Sequence, residues 1–252
     1  MENRVQRRIL LVLVLTAFCM LPPLLFGMSA DDIIRRVDAN LVYTTQSFSA
    51  VMRVERGRRS LTKEFVGYGR QSDNAAFMEF TNPEDRGVKY LKIEDELWIY
   101  FPDADDVMKI SGHMLRQGMM GSDISYEDLL ENELLRNRYE STLVGMTDVA
   151  GTACYHLKLD AAGGDEAYER RVLYVDAENF VPLRIELYAR GGRLLKTMEQ
   201  SDVRQFGNRR VPTRIEVRDT RRRNSLTVVE FTELEFDRPV PQHVFTMRHL
   251  RR

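Results

Sequence analysis

The chain has 252 residues, with 37 Lys and Arg against 38 Asp and Glu and a formal net charge of −1. That length allows one large all-β domain or two small ones, and 43% apolar residues supply a sizeable core. The two signs of charge interleave along the chain, which argues against a polyanion, and so against nucleic acid, as a partner.

Arg4, Arg7 and Arg8 precede an uncharged apolar run over 9–26, followed by the small residues Gly27, Ser29 and Ala30. A basic stretch, an apolar stretch and small residues in that order read as an export signal over 1–29 and place the mature protein outside the cytoplasm. Pro22 and Pro23 interrupt the run as a helix, favouring a cleaved signal over a retained membrane anchor. Lipidation at Cys19 is a further alternative, but Phe18 stands before it where a small residue is expected. Without the signal, Cys154 is the one remaining thiol, so the exported chain has no internal disulfide and relies on core burial. Within 152–159, Cys154 alternates with Tyr155, Leu157 and Leu159 and shares a face with His156. This reads as a half-buried strand thiol beside a surface histidine rather than as a nucleophile and its base.

Ser29 caps a first helix whose first turn carries Asp31 and Asp32 and whose apolar side is Ile33, Ile34, Val37 and Leu41. From Ser47 the period becomes two, with Phe48, Ala50, Met52 and Val54 on one face. Strand segments follow around 61–70, 75–81, 87–93 and 97–101, separated by short polar turns, the pattern of an antiparallel meander. Phe77 alternates with Met78 and Phe80, and Leu97, Ile99 and Phe101 with Trp98 and Tyr100, so both faces are apolar here. The second face must be covered by helices, a lid or a ligand.

The segment 112–121 is bracketed by glycines and holds Met114, Met119 and Met120, with Met108 just before it. Flexible, unbranched methionine side chains on a mobile connection suit a lid over an apolar cavity, with Gly112, Gly118 and Gly121 as its hinges. The cargo side of that cavity is assigned to Trp98, Tyr100 and the methionines, and the anchoring end of the lid to Tyr126 and Leu129. Ser125 and Asp128 form a cap for a second helix with Leu129, Leu130, Leu134 and Leu135 as its buried stripe. Strands then return, with Gly191 and Gly192 forming a hairpin turn between 181–190 and 194–198, and a further alternating stretch over 211–217. In 226–236, Leu226 and Val228 fall in one register and Val229 and Phe231 in the other, which a bulge or burial on both sides explains. The expected architecture is mainly β (α+β): one domain over 30–252, of about ten or eleven strands with two helices and a lid.

Other chemistries have weaker footing. Met108, Met114, Met119 and Met120 beside His113 offer soft ligands for Cu(I), without the close-spaced repeats of a copper carrier. Asp103, Asp105 and Asp106 lack the glycine and closing glutamate of a calcium loop and read as a hairpin turn. Arg221, Arg222 and Arg223 read as a charged turn, with contact to anionic headgroups as the functional alternative. A periplasmic hydrolase is the alternative from another class, but no Ser/His/Asp spacing, HExxH helix, phosphate loop or paired-Cys site is present. No catalytic residue, metal or cofactor is expected.

The stretch Glu96-Leu97-Trp98-Ile99-Tyr100-Phe101-Pro102, then Met108-Lys109-Ile110-Ser111 and Met120-Gly121-Ser122-Asp123-Ile124-Ser125-Tyr126-Glu127-Asp128-Leu129, resembles the bacterial outer-membrane lipoprotein-sorting family of LolA/LolB-like carriers. So does the ending, from Arg209-Arg210-Val211-Pro212-Thr213-Arg214-Ile215-Glu216 through Phe231-Thr232 to Val244-Phe245-Thr246 and Leu250. The resemblance implies a half-open antiparallel β-barrel whose concave apolar face is covered by helices and a lid, working in the periplasm. It implies lipoprotein acyl chains or phospholipid as cargo, transient membrane contact, an inner-membrane transporter as a partner, and no chemistry. A lipoprotein-sensing or transporter-partner domain is the alternative within the same barrel.

Overall fold

The computed structural model describes residues 27–131, 134–163 and 166–252. The expected signal, its alternatives and Cys19 lie almost wholly outside these residues. Helix α1, Ala30–Leu41, begins where Ser29 Oγ accepts from the Asp32 N–H at 3.1 Å, with Asp31 and Asp32 in the first turn facing the helix dipole. Ile33, Ile34 and Val37 are buried, and Leu41 is half exposed.

Among the described residues thirteen strands follow, two or three more than the sequence suggests. They are β1 (Thr45–Arg56), β2 (Arg59–Arg70), β3 (Ala75–Phe80), β4 (Lys89–Ile93), β5 (Glu96–Phe101) and β6 (Asp106–Ile110), then β7 (Tyr139–Val149), β8 (Thr152–Ala161), β9 (Arg170–Asp176), β10 (Pro182–Tyr188), β11 (Leu194–Phe206), β12 (Arg209–Asp219) and β13 (Ser225–Phe236). All pair antiparallel in one sheet, ordered β6-β5-β4-β3-β2-β1-β13-β12-β11-β10-β9-β8-β7. The first and last strands of the chain therefore meet in mid-sheet, and the unpaired edges β6 and β7 border an open seam. This is a half-open barrel.

The connection from β6 to β7 crosses the concave face. It contains two 3₁₀ turns, Gly112–Arg116 and Met119–Gly121, then two short helices, α2 (Tyr126–Leu130) and α3 (Leu135–Arg138). The single second helix expected from the leucine stripe is thus two helices, and the stripe divides between two cores. Leu129 and Leu130 join the core of Met52, Phe80, Tyr90, Leu97, Ile99 and Met119, while Leu135 joins the one that α1 makes with Leu157, Leu159, Leu173 and Val175. Asp38, fully buried on α1, accepts from the Leu135 N–H at 3.0 Å and the Arg136 N–H at 3.3 Å, so a neighbouring helix supplies the cap of α3. Burial pushes the Asp38 carboxyl up despite those bonds.

The outer face of β3 and β4 is covered by the chain's end. Val240, Val244 and Phe245 pack on Ala75 and Phe77, and the last short helix, α4 (Met247–Leu250), sets His249 against Phe77 with ring centroids 5.0 Å apart. This explains why Phe77 and Phe80 are both buried while pointing to opposite faces. The phase change in β13 is likewise two-sided burial: Val228 is 4% and Val229 6% exposed with no bulge between them. The bulge comes later, where Ala50 pairs with Phe231 and Ser49 with Glu233, leaving Thr232 unpaired.

Candidate functional site

The concave face has two covered ends and a cavity between them. At the β6 end, an aromatic ladder runs from Phe231 through Phe48, Phe65, Phe80 and Tyr90 to Tyr126, with successive centroids 5.4 to 6.1 Å apart. Met108, Met114, Met120, Tyr126 and Leu129 pack against this core, and Met119, 2% exposed, is part of it. The structure therefore brings six of the eight expected cargo residues together as packing under the strap. Trp98 and Tyr100 are separated from them. Leu97 and Ile99 take the inward positions of β5, so alternation turns Trp98 and Tyr100 to the outer face, where Lys109 and Lys89 lie over their rings at 5.7 and 5.6 Å.

The three glycines differ. Gly112 (φ +56°) and Gly121 (φ +79°) have open space around them and occupy the left-handed region that glycine tolerates best. Gly118 is instead a close-approach position, where an added Cβ would fall 2.0 Å from the Ser122 carbonyl oxygen.

The strap's second half is tied down by buried polar groups. Asp123, 1% exposed, accepts from Ser225 Oγ at 2.7 Å and Thr227 Oγ1 at 3.0 Å, and its own N–H donates to Thr227 Oγ1 at 2.8 Å. Arg222 Nη1 donates to the Ser122 carbonyl at 2.5 Å, so the basic turn after β12 clamps the strap. Ser125 and Asp128 form the expected capping box, and the buried Lys196 of β11 donates to both side chains. Tyr168 Oη donates to Asp128 Oδ1 at 2.5 Å. Burial and the neighbouring Asp128 both push the Tyr168 phenol up.

The cavity lies beside α1 and measures about 690 Å³, within the 300–1,000 Å³ span usual for small-molecule sites. Val37 and Leu41 of α1, Leu173, Val181, Ile185 and Ile215 form its apolar wall, and Phe231 joins it to the foot of the aromatic ladder. None of the eight expected cargo residues and none of the three hinge glycines lines it, although Val37, Leu41, Leu134, Leu135 and Phe231, read from the sequence as core positions, do. At one end Arg171, 13% exposed, pairs with Glu131 and lies over the Tyr139 ring at 4.9 Å. Burial works against the Arg171 guanidinium, but Glu131 and Tyr139 hold its pKa above the ordinary value. Arg138 pairs with Glu166 nearby. Arg210 also lines the cavity and is exposed, so it stands at the rim.

Cys154 is completely buried rather than half-buried, and burial, then Asp176 and Asp148, push its thiol up, away from the thiolate a nucleophile needs. His156 stacks on Tyr174 with centroids 4.9 Å apart. Among the described residues, no group of three or more His, Cys, Asp and Glu side chains is arranged to hold a metal.

Comparison with solved structures places the architecture. A protein of the DUF1329 family from Desulfovibrio piger is 27% identical, with a TM-score of 0.80, covering 87% of this chain and 96% of its own. A putative outer membrane lipoprotein-sorting protein domain from Vibrio parahaemolyticus is 20% identical, with a TM-score of 0.79 over 89% of this chain and 98% of its own. A LolA superfamily protein from Nitrosomonas europaea is 19% identical, with a TM-score of 0.72 over 88% of this chain and all of its own. The thirteen-stranded half-open barrel thus has the fold of these structures. A family model described as "Uncharacterized protein" matches residues 72–252, and the chain belongs to that family. No curated protein matches the chain.

Proposed function

We propose that the protein is a periplasmic, non-catalytic carrier that holds the acyl chain of a lipoprotein or another lipid in the cavity beside α1. The cavity itself carries the reading: an apolar wall around about 690 Å³, lying between two cores packed from the protein's own side chains. An acyl chain in water costs about 0.8 kcal/mol per exposed methylene, so moving one between membranes requires such an enclosure. The LolA-type fold and the solved lipoprotein-sorting domain it resembles support the same cargo class.

The methionine strap is the movable wall in this proposal. Gly112 and Gly121 flank the part carrying Met114, Met119 and Met120, while Asp123, Ser125 and Asp128 stay fixed to β11 and β13. Swinging that part outward breaks the bond from the Met119 N–H to the Ile124 carbonyl, opens the ladder side of Phe231 and lengthens the cavity for a longer chain. A few kcal/mol is the limit on the cost of that movement, since a costlier opening would prevent loading. Export by the N-terminal signal and delivery to or from an inner-membrane transporter complete the proposal.

The test is mass spectrometry of lipids extracted from the purified protein, together with uptake of a fluorescent acyl probe. Bound acylated molecules are expected, and Ile215→Trp, which fills the cavity, should weaken probe binding at least tenfold with little change in melting temperature. Absence of extracted lipid and of probe uptake in the parent protein would defeat the carrier reading.

A further inference from the structure

Charge around the cavity narrows the cargo, and we infer that it takes a neutral acyl ester in preference to a free fatty acid or another lipid with its charged group inside. This inference rests on the carrier reading and sharpens it. Among the described residues, four charged side chains line the cavity: Glu131, Arg138, Arg171 and Arg210. Arg171 is matched by Glu131, and Arg138 by Glu166, so these two pairs carry no net charge. Arg210 is exposed, leaving its charge to solvent at the rim. A carboxylate or phosphate drawn inside would therefore be buried without a surplus cation to balance it, a strongly unfavourable placement.

The uncharged polar groups point the same way. Asn40 and Gln71 are committed to the protein: the Asn40 amide donates to the Asn179 and Phe180 carbonyls, and Gln71 Oε1 accepts from the Tyr43 N–H. Gln46 on β1 and Gln200 on β11 also line the cavity and are half-buried, and their side-chain amides have no hydrogen-bond partner among the described residues. Each offers amide donors and a carbonyl acceptor without charge, the complement of an ester carbonyl and a glycerol hydroxyl. The methylenes of the same molecule would lie along Val37, Ile185 and Ile215.

The experiment displaces a fluorescent acyl probe from the full exported protein with 1-palmitoylglycerol or with palmitate at pH 8.5, where palmitate is ionised. The ester should compete at a concentration at least tenfold below that of palmitate. Gln46→Leu with Gln200→Leu, checked for an unchanged melting temperature, should reduce that advantage at least threefold, and each single variant should carry part of the loss. Equal competition by palmitate overturns the inference. So does an ester advantage that survives both glutamine substitutions. Palmitate binding that disappears in Arg210→Gln would place an anionic headgroup at the rim and also overturn it. Failure of the probe to bind at all instead removes the carrier reading beneath it.

Discussion

Met119→Ala separates a packed strap from a loose lid. Met119 is 2% exposed, belongs to the core with Met52, Phe80 and Ile99, and keeps its backbone in place by donating to the Ile124 carbonyl at 2.8 Å. Truncating a fully buried methionine costs about 2–5 kcal/mol, combining lost transfer energy with the hole left behind. For a domain of this size, each kcal/mol moves the melting temperature by about 2–4 °C, so a central loss of about 3 kcal/mol lowers it by about 6–12 °C. Met120→Gly is the companion variant. Met120 is half-buried and sits at φ +48°, so relief of backbone strain offsets part of the lost contact and the net change should stay within about 1 kcal/mol. Thermal unfolding by circular dichroism measures both. A strap that is loose even when closed predicts almost no change for Met119→Ala; a shift below about 2 °C would refute its assignment to the core of the closed state.

Three further outcomes follow from the same geometry. Gly118→Ala should destabilise the strap and expose 117–126 to protease, because the new methyl meets the Ser122 carbonyl at 2.0 Å; unchanged proteolysis would mean that the close approach relaxes freely. Asp123→Ala should cost about 2–4 kcal/mol by chemical denaturation, since the Ser225 and Thr227 hydroxyls lose their buried acceptor, and a change under about 0.5 kcal/mol would contradict the clamp. His249 has its pKa lowered from 6.5 by burial first, then by His243, Lys89 and Arg252, against a small opposing effect of Glu79. The unfolded chain therefore binds the proton more readily, and the stability that neutral His249 contributes is present above pH 6.5 and lost as pH falls through the lowered value. Amide protection over 244–250, taken relative to the intrinsic exchange rate at each pH, should fall from pH 7.5 to 5.5, and His249→Phe should abolish that difference; equal protection at both pH values would refute it.

Much of the sheet is written in its alternation. Ser29 and the Ile33, Ile34, Val37 spacing place α1, and the strands β2 to β5 fall close to the segments bounded by their polar turns. β7 and β9 escape that reading for physical reasons. β7 is an edge strand whose residues are mostly exposed, so no apolar face marks it, and β9 turns Arg171 inward, where Glu131 rather than a hydrophobic neighbour satisfies it. Trp98 shows the limit of composition as a guide: an aromatic strand has two faces, and Leu97 and Ile99 took the inner one. The cavity was illegible because α1, β9, β10, β12 and β13 each contribute only two to four ordinary residues to it, and only their assembly leaves a space. A charged residue inside an apolar periodicity, such as Asp38 on α1, was the available signal for the helix cap, since a buried carboxylate needs donors nearby.

The meeting of β1 with β13 in mid-sheet has a consequence for how the molecule assembles. Val54 pairs with Thr227 and Gln46 with Phe236, so the central seam joins residues about 170 to 190 positions apart, while every other neighbouring pair is a local hairpin. Ordering such distant partners is entropically slow. The first six strands can zip up early, but β1 keeps a bare hydrogen-bonding edge until the last strand of the chain arrives. Until then that edge is open to the wrong neighbour, and a holding factor that shields an extended apolar strand would find its substrate there.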